Sequence, residues 1–347
     1  MLFLLLIALS CRPQAPVPAG HCDDAQTTRL TTGDGAEIVL HRHPAPGPPV
    51  IVIHGLASNH RSWDLSSDRS IAEVLQEAGM DPWLLNLRGH GDALMASDGT
   101  KQRHGWALDD YGTHDLHTAI EHIRTVRSTQ QVAVVGHSMG GMVAAVYNGH
   151  HGDDALSALV VVGSPIQFAQ RDLVLNVGSA VMRLGVAWRS LGMQAGAEVL
   201  SQIPGEVPVH GEGLLFNPKN LEPAVRIQML QAVASPVSRE EMQQFTQIFK
   251  QGRFTSVDGK LDYVDALSSL DTPLLVIAGT ADQIVPPSRV TPWMDAVASE
   301  DKTYIEAGLE QGFSADYGHL DLTIGDGAKA EIHTPIATWL RQRTATD

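Results

Sequence analysis

One short stretch constrains this chain more than any other. Val132-Ala-Val-Val135 is an apolar run that stops abruptly at Gly136-His137-Ser138-Met139-Gly140, and a helix-like segment, Met142–Tyr147, follows at once. A serine caught between a buried strand and a helix sits in a sharp, strained turn. Glycines two residues before and after it let the two backbones pack without a Cβ clash. The hydroxyl is then held out where a substrate can reach it. Five such residues also occur together by chance. The reading therefore requires further strands, a base, an acid and an oxyanion site from the rest of the chain.

Strands of the same kind recur. Val50-Ile-Val-Ile53 is an unbroken β-branched run, suited to burial on both faces of a parallel sheet. Trp83–Leu87, Ala158–Val162 and Leu274–Ala278 read likewise, with a short strand at Lys302–Ile305. Apolar spacing predicts helices over Arg69–Gly79, Asp109–Arg127 and Arg289–Ala298, and a closing helix from Lys329 to Arg341. Thr27–His43 reads as two strands around Gly33-Asp34-Gly35. This alternation is the pattern of the α/β class: a mostly parallel sheet flanked by helices on both faces.

The rhythm breaks between Ile166 and Leu261. Helical patches at Leu173–Leu191, Leu221–Val233 and Arg239–Phe249 replace strands there, and Gly, Pro and Met are frequent. The segment is expected to fold as a helical cap inserted after the sixth strand; a separate helical domain is the alternative. Leu173–Leu191 is apolar, but Arg183, Arg189, Gly178 and Gly185 favour a cap helix over a membrane span.

The N-terminus is of a different character. Leu2–Leu9 is an apolar run of eight residues, too short for a bilayer, which takes roughly 20. It reads as the apolar part of a signal peptide. Ser10-Cys11 and a Pro-rich tether follow, so the segment resembles a bacterial lipobox with Cys11 as the lipidated first mature residue. That resemblance implies a lipid anchor in the bacterial cell envelope; simple secretory cleavage and a start without a targeting role are the alternatives. Cys11 and Cys22 are the only cysteines. They form either an anchor and a lone thiol, or a small disulfide loop in an oxidising compartment. The expected divisions are 1–10 signal peptide, 11–26 tether, 27–165 first core part, 166–261 cap and 262–347 second core part.

A serine hydroxyl is a weak nucleophile at neutral pH unless a general base adjoins it, and the base needs an acid to fix its tautomer. Asp282 lies just beyond the strand Leu274–Ala278, where Gly279 ends the run. His319 lies after the last strand and before the closing helix. Among 16 histidines, position singles it out, since its competitor His333 falls inside that helix. The oxyanion donors are expected to be the backbone N–H groups of Met139 and of Leu56, where Gly55 allows close approach. His54, His90 and His137 read as packing or hydrogen-bonding residues of the sheet edge. With 24 Lys plus Arg against 39 acids, the formal charge of −15 repels phosphate backbones and argues against nucleic acid. No metal motif is present: His41/His43 and His150/His151 stand as isolated pairs. No G-x-G-x-x-G follows a strand, so no dinucleotide cofactor is expected.

Together His54-Gly55, Leu87-Arg-Gly-His-Gly91, Gly136–Gly141, Gly279-Thr-Ala-Asp282 and Gly318-His319 resemble the α/β-hydrolase superfamily. The motifs run in that family's order from about residue 27 to the end. Trp63-Asp-Leu, Trp83–Arg88, Asp109-Asp-Tyr and His319-Leu-Asp321 are similar to its acid-lipase and polyhydroxyalkanoate-synthase-like branch. The synthases use a cysteine nucleophile, so Ser138 points to hydrolysis. The resemblance implies a serine esterase or lipase acting on small-molecule or lipid esters through Ser138, Asp282 and His319. The same triad also serves acyltransferases, thioesterases, lactonases and C–C hydrolases, and a non-catalytic descendant of the fold is the remaining alternative. None of these residues specifies the acyl chain, the alcohol or an oligomeric state.

Overall fold

The computed structural model describes residues 25–102, 105–168 and 212–344. Among the described residues eight strands form one sheet: β1 (Gln26–Thr31), β2 (Glu37–Arg42), β3 (Pro49–Ile53), β4 (Asp81–Asn86), β5 (Val132–His137), β6 (Leu156–Val162), β7 (Leu274–Gly279) and β8 (Lys302–Ala307). Their spatial order is β1-β2-β4-β3-β5-β6-β7-β8. The β1–β2 hairpin joins β4 in antiparallel fashion, and every later pairing is parallel.

Side-chain alternation explains why the central strands are apolar throughout. Ile51, Ile53, Val134, Val161 and Val276 enter a core with Ile120, Ile123, Met142 and Val146. Those four lie on α2 (His117–Arg127) and α3 (Met139–His151). Their neighbours Val50, Val52, Val135, Val160 and Ile277 face the opposite layer, with Ile71, Leu75, Ile336 and Leu340. These belong to α1 (Ile71–Glu77) and to the closing helix, α6 (Thr334–Arg341). Successive residues of a strand point to opposite faces, so both faces need apolar cover.

Two longer helices are described in the segment between β6 and β7, beside the short turns Glu212–Leu215 and Tyr263–Ala266. The first, α4 (Pro223–Ala232), opens on Pro223, whose missing N–H costs nothing in a first turn. Val225 and Met229 on it pack with Leu65, Phe216 and Ile324. The second, α5 (Arg239–Gln251), has a capping box between Ser238 and Glu241 and stops at Gly252, φ 66°. The Leu173–Leu191 patch lies outside the described residues, as do the apolar leader, Cys11 and Cys22. Among the described residues no helix is long and apolar enough to cross a membrane.

The expected helix Arg289–Ala298 is corrected by the structure. It divides into short turns at Pro287–Val290 and Trp293–Ala296, with Pro292 between them. Proline has no N–H for an interior helical bond and its ring crowds the preceding turn. The segment expected as one helix over Lys329–Arg341 opens as a wider π-helical turn, Lys329–His333, before α6. Pro335, just inside α6, removes one of the ordinary helical donors at that junction. A second π-helical turn, Tyr111–Leu116, precedes α2. Gly112 in it presses against α3, where a Cβ would lie 2.5 Å from Val146.

Candidate active site

Register brings the strand ends together. Ile53 is level with Gly136, His137 with Val162, and Val162 with Ile277. The loops after β3, β5, β6 and β7 therefore leave the sheet at one edge, where open α/β sheets bind ligands.

Ser138 occupies the turn between β5 and α3 with φ 52° and ψ −116°, a positive-φ conformation rare for any residue with a side chain. Three contacts hold it there. Its N–H donates to Val162 O at 2.9 Å, and its carbonyl accepts from Ser164 Oγ at 2.7 Å. Close packing supplies the third: a Cβ on Gly136 would lie 2.4 Å from Gly140 C, and one on Gly140 2.7 Å from Ile53 O.

The structure brings Ser138, His319 and Asp282 into one hydrogen-bonded row. His319 Nε2 lies 2.9 Å from Ser138 Oγ, and His319 Nδ1 lies 2.7 Å from Asp282 Oδ2. A carboxylate only accepts, so the imidazole proton belongs on Nδ1, leaving Nε2 free to accept the serine proton. Asp282 and His319 are buried, while Ser138 is partly exposed. The other carboxylate oxygen of Asp282 accepts the N–H groups of Ile284 and Val285 at 2.9 and 2.7 Å. Those bonds fix the plane of the carboxylate before it meets the histidine.

The remaining expected residues lie beside this row. Met139 is the first residue of α3, and a first-turn amide has no acceptor within its own helix. Leu56 is in the loop after β3. Gly55 in that loop sits against the serine, since a Cβ on it would lie 3.2 Å from Ser138 Cβ and 3.1 Å from His137 Nδ1. Ala57 follows with φ 56°. Its carbonyl accepts from Ser235 N–H at 2.9 Å, and Asn59 Nδ2 donates to the carbonyls of Ala232 and Val233, both at 2.9 Å. The end of α4 thus fastens the loop that carries Leu56.

The neighbouring histidines are buried and tied to backbone. His54 lies between Gly55 O, at 2.8 Å, and the Leu87 N–H, at 3.3 Å. His137 Nε2 donates to the His319 carbonyl at 3.1 Å. Burial, and for His137 the adjacent imidazole of His319, hold the pKa values of both well below the ordinary histidine range. They enter the site as neutral supports rather than bases. Read from the sequence as a hydrogen-bonding residue of the sheet edge, His137 is one; its partner, and the bond of Ser164 to the Ser138 carbonyl, were not legible because each partner is remote in the chain.

Two other polar groupings arise only on folding: His41, His60 and Asp92, and Asp34, Asp110 and His114. In the first, the His41 and His60 rings stack at 3.9 Å with planes 20° apart. His41 Nε2 also lies 3.0 Å from Asp92 Oδ2. In the second, Asp34 is clamped by Arg88 at 2.6 and 2.9 Å.

Known proteins resemble the chain at several levels. A family model described as the alpha/beta hydrolase fold matches residues 48–309. A poly(3-hydroxyalkanoate) polymerase subunit PhaC from Thiocystis violacea is 23% identical over 328 residues, spanning 89% of this chain and 86% of that protein. Triacylglycerol lipase 1 of Arabidopsis thaliana is 22% identical over 354 residues, 90% of this chain and 86% of the lipase. Among solved structures, the esterase EaEST from Exiguobacterium antarcticum shares the fold with a TM-score of 0.63 at 16% identity, covering 90% of this chain and 99% of that one.

Proposed function

The chain belongs to the α/β-hydrolase fold family, and we propose that within it this protein is a serine hydrolase of carboxylic esters with apolar acyl groups. The observation that carries the proposal is the row Ser138–His319–Asp282, with the serine held at positive φ at the sheet edge. His319 Nε2 takes the proton of Ser138 as Oγ attacks the ester carbonyl carbon. The charge that develops on the carbonyl oxygen is received by the N–H groups of Leu56 and Met139. Asp282 stabilises the imidazolium, which then protonates the departing alcohol. The acyl group, now on Ser138, is released by a water that His319 deprotonates. No cofactor or metal enters these steps.

The test is a panel of p-nitrophenyl esters of graded acyl length, assayed above and below the micellar threshold, with a fluorophosphonate probe in parallel. Turnover and stoichiometric labelling of Ser138 are expected, and both should vanish in Ser138→Ala. Turnover unchanged in that variant would sink the proposal.

A second reading, acyl transfer to an acceptor other than water, is supported by similarity to the PhaC subunit over most of both chains. Adding an alcohol acceptor separates the two: transfer diverts product from acid to new ester without slowing acyl-enzyme formation. We further propose that Cys11 carries a lipid anchoring the protein in a bacterial envelope. Labelled palmitate should enter the wild-type protein and be absent from Cys11→Ala.

A further inference from the structure

Asp321 is fully buried, and its carboxylate is met by three neutral donors. Oδ2 accepts the Gly318 N–H at 2.9 Å and Asn220 Nδ2 at 2.6 Å. Oδ1 accepts the Asn217 N–H at 3.1 Å. Burial pushes its pKa up, and these donors work against that rise. A buried ionisable group bonded by neutral partners is costly to keep, so its position asks for an explanation.

The explanation lies in what those donors belong to. Gly318 immediately precedes His319 and is pressed into the same corner: a Cβ on it would lie 2.7 Å from Asn217 N and 2.8 Å from Asp321 Oδ1. On the other side of the histidine, the Leu320 N–H donates to Leu215 O at 2.9 Å. Asn217 and Asn220 also donate through Nδ2 to Asp316 O, at 2.7 and 2.8 Å. The residues flanking His319 are thus fastened to the stretch 215–220, which precedes α4. Asp282, by contrast, meets this loop through the His319 imidazole.

We propose that Asp321, with Asn217 and Asn220 as its donors, is a positioning residue for His319. The carboxylate fixes the backbone from which the imidazole reaches Ser138 and couples it to the stretch 215–220, ahead of α4 in the segment between β6 and β7. This rests on the serine-hydrolase reading for its catalytic consequence, but not for the structural hold itself. Asp321 acts through Gly318 and touches none of the reacting atoms.

The test uses the full chain with Asp321→Asn, which turns one acceptor oxygen into a donor, so that in either amide orientation an N–H faces an N–H. Misplacing the base costs kcat about 10²-fold while KM stays within about threefold. The rate constant of fluorophosphonate labelling should fall by the same factor, with every chain labelled in the end. Asn220→Ala, which leaves the two backbone donors in place, should lose about fivefold in kcat. Asp81→Asn is the control: Asp81 is also fully buried but starts β4 and pairs with Arg42, so that variant should lose stability without losing kcat in the folded fraction. Amide exchange at Gly318 and the NMR line of the His319 Nδ1 proton report the hold itself, and both should exchange faster in Asp321→Asn. Unchanged exchange overturns the proposal, as does a fall in kcat matched only by a smaller labelled fraction. A wild-type chain that fails to label at Ser138 overturns the hydrolase reading instead, and the exchange measurement still decides the role of Asp321.

Discussion

His319 Nε2 stands 2.9 Å from Ser138 Oγ although 181 residues separate them. The serine meets it from one of only three positive-φ non-glycine positions among the described residues, the others being Ala57 and Ser128. The contact is thus made by one residue in a strained turn and another in a loop tied down on both sides.

The strain at Ser138 has a measurable consequence. Such backbone conformations cost about 1–3 kcal/mol for a residue with a Cβ, and glycine adopts them freely. Ser138→Gly should therefore abolish ester turnover yet raise the melting temperature, by about 2 °C. Ser138→Ala keeps the strain and should melt close to the wild type. Differential scanning calorimetry of the pair checks this, and equal melting temperatures would count against strain at the turn.

The two oxygens of Asp282 have separate tasks, so Asp282→Asn should affect only one. The amide oxygen can still accept from Ile284 and Val285, as Oδ1 does now. The amide nitrogen then faces His319 Nδ1 and forces the proton onto Nε2, where it opposes the serine proton. A fall in kcat of about 10⁴-fold with little change in KM is expected from the wrong tautomer. Steady-state kinetics on a soluble short-chain ester would show it.

Packing at the turn gives a third outcome. A Cβ on Gly136 would meet backbone of Gly140 and Gly141 at 2.4 to 2.6 Å, and neither can move without shifting α3. Gly136→Ala should lose about 1–3 kcal/mol of stability by overpacking. Urea denaturation followed by far-UV circular dichroism measures the loss, and activity in the folded fraction should fall with it as Ser138 is displaced.

Buried titratable groups set the pH range from both ends. His90 and His333 are each held down to about 4, chiefly by burial. The unfolded chain takes up these protons near pH 6.5, so stability present above that value is lost as pH falls towards 4. Glu241 has the opposite sign. Burial pushes it up to about 8, so its contribution is full below pH 4.5 and is lost as pH rises through 8. Melting curves from pH 4 to 9 should show His333→Gln flattening the acid side, since an amide can still donate to Thr323 O. Glu241→Gln should gain on the wild type progressively above pH 5.

Much of this molecule was legible in the chain because strand burial is a local property. Val50–Ile53, Val132–Val135 and Leu274–Ala278 are apolar at every position, and a strand buried on both faces has no other way to be written. Helix interruptions were less legible. Pro292 should have divided the segment 289–298, but its apolar spacing concealed the break. The histidine could be singled out by position alone, and Asp321 was visible only as part of a motif.

The alternating strand–helix order, the turn at Ser138 and the positions of Asp282 after β7 and His319 after β8 are written in the chain. How they are held is set by the fold. The strand order sets β3, β5, β6 and β7 side by side, so their loops share one edge. Asp321 finds donors at Asn217 and Asn220, 104 and 101 residues away, and His137 meets the His319 carbonyl across 182. The physical reason is that burial and turn geometry are imposed by near neighbours, whereas a buried polar group can be satisfied by any donor the fold brings within hydrogen-bond reach.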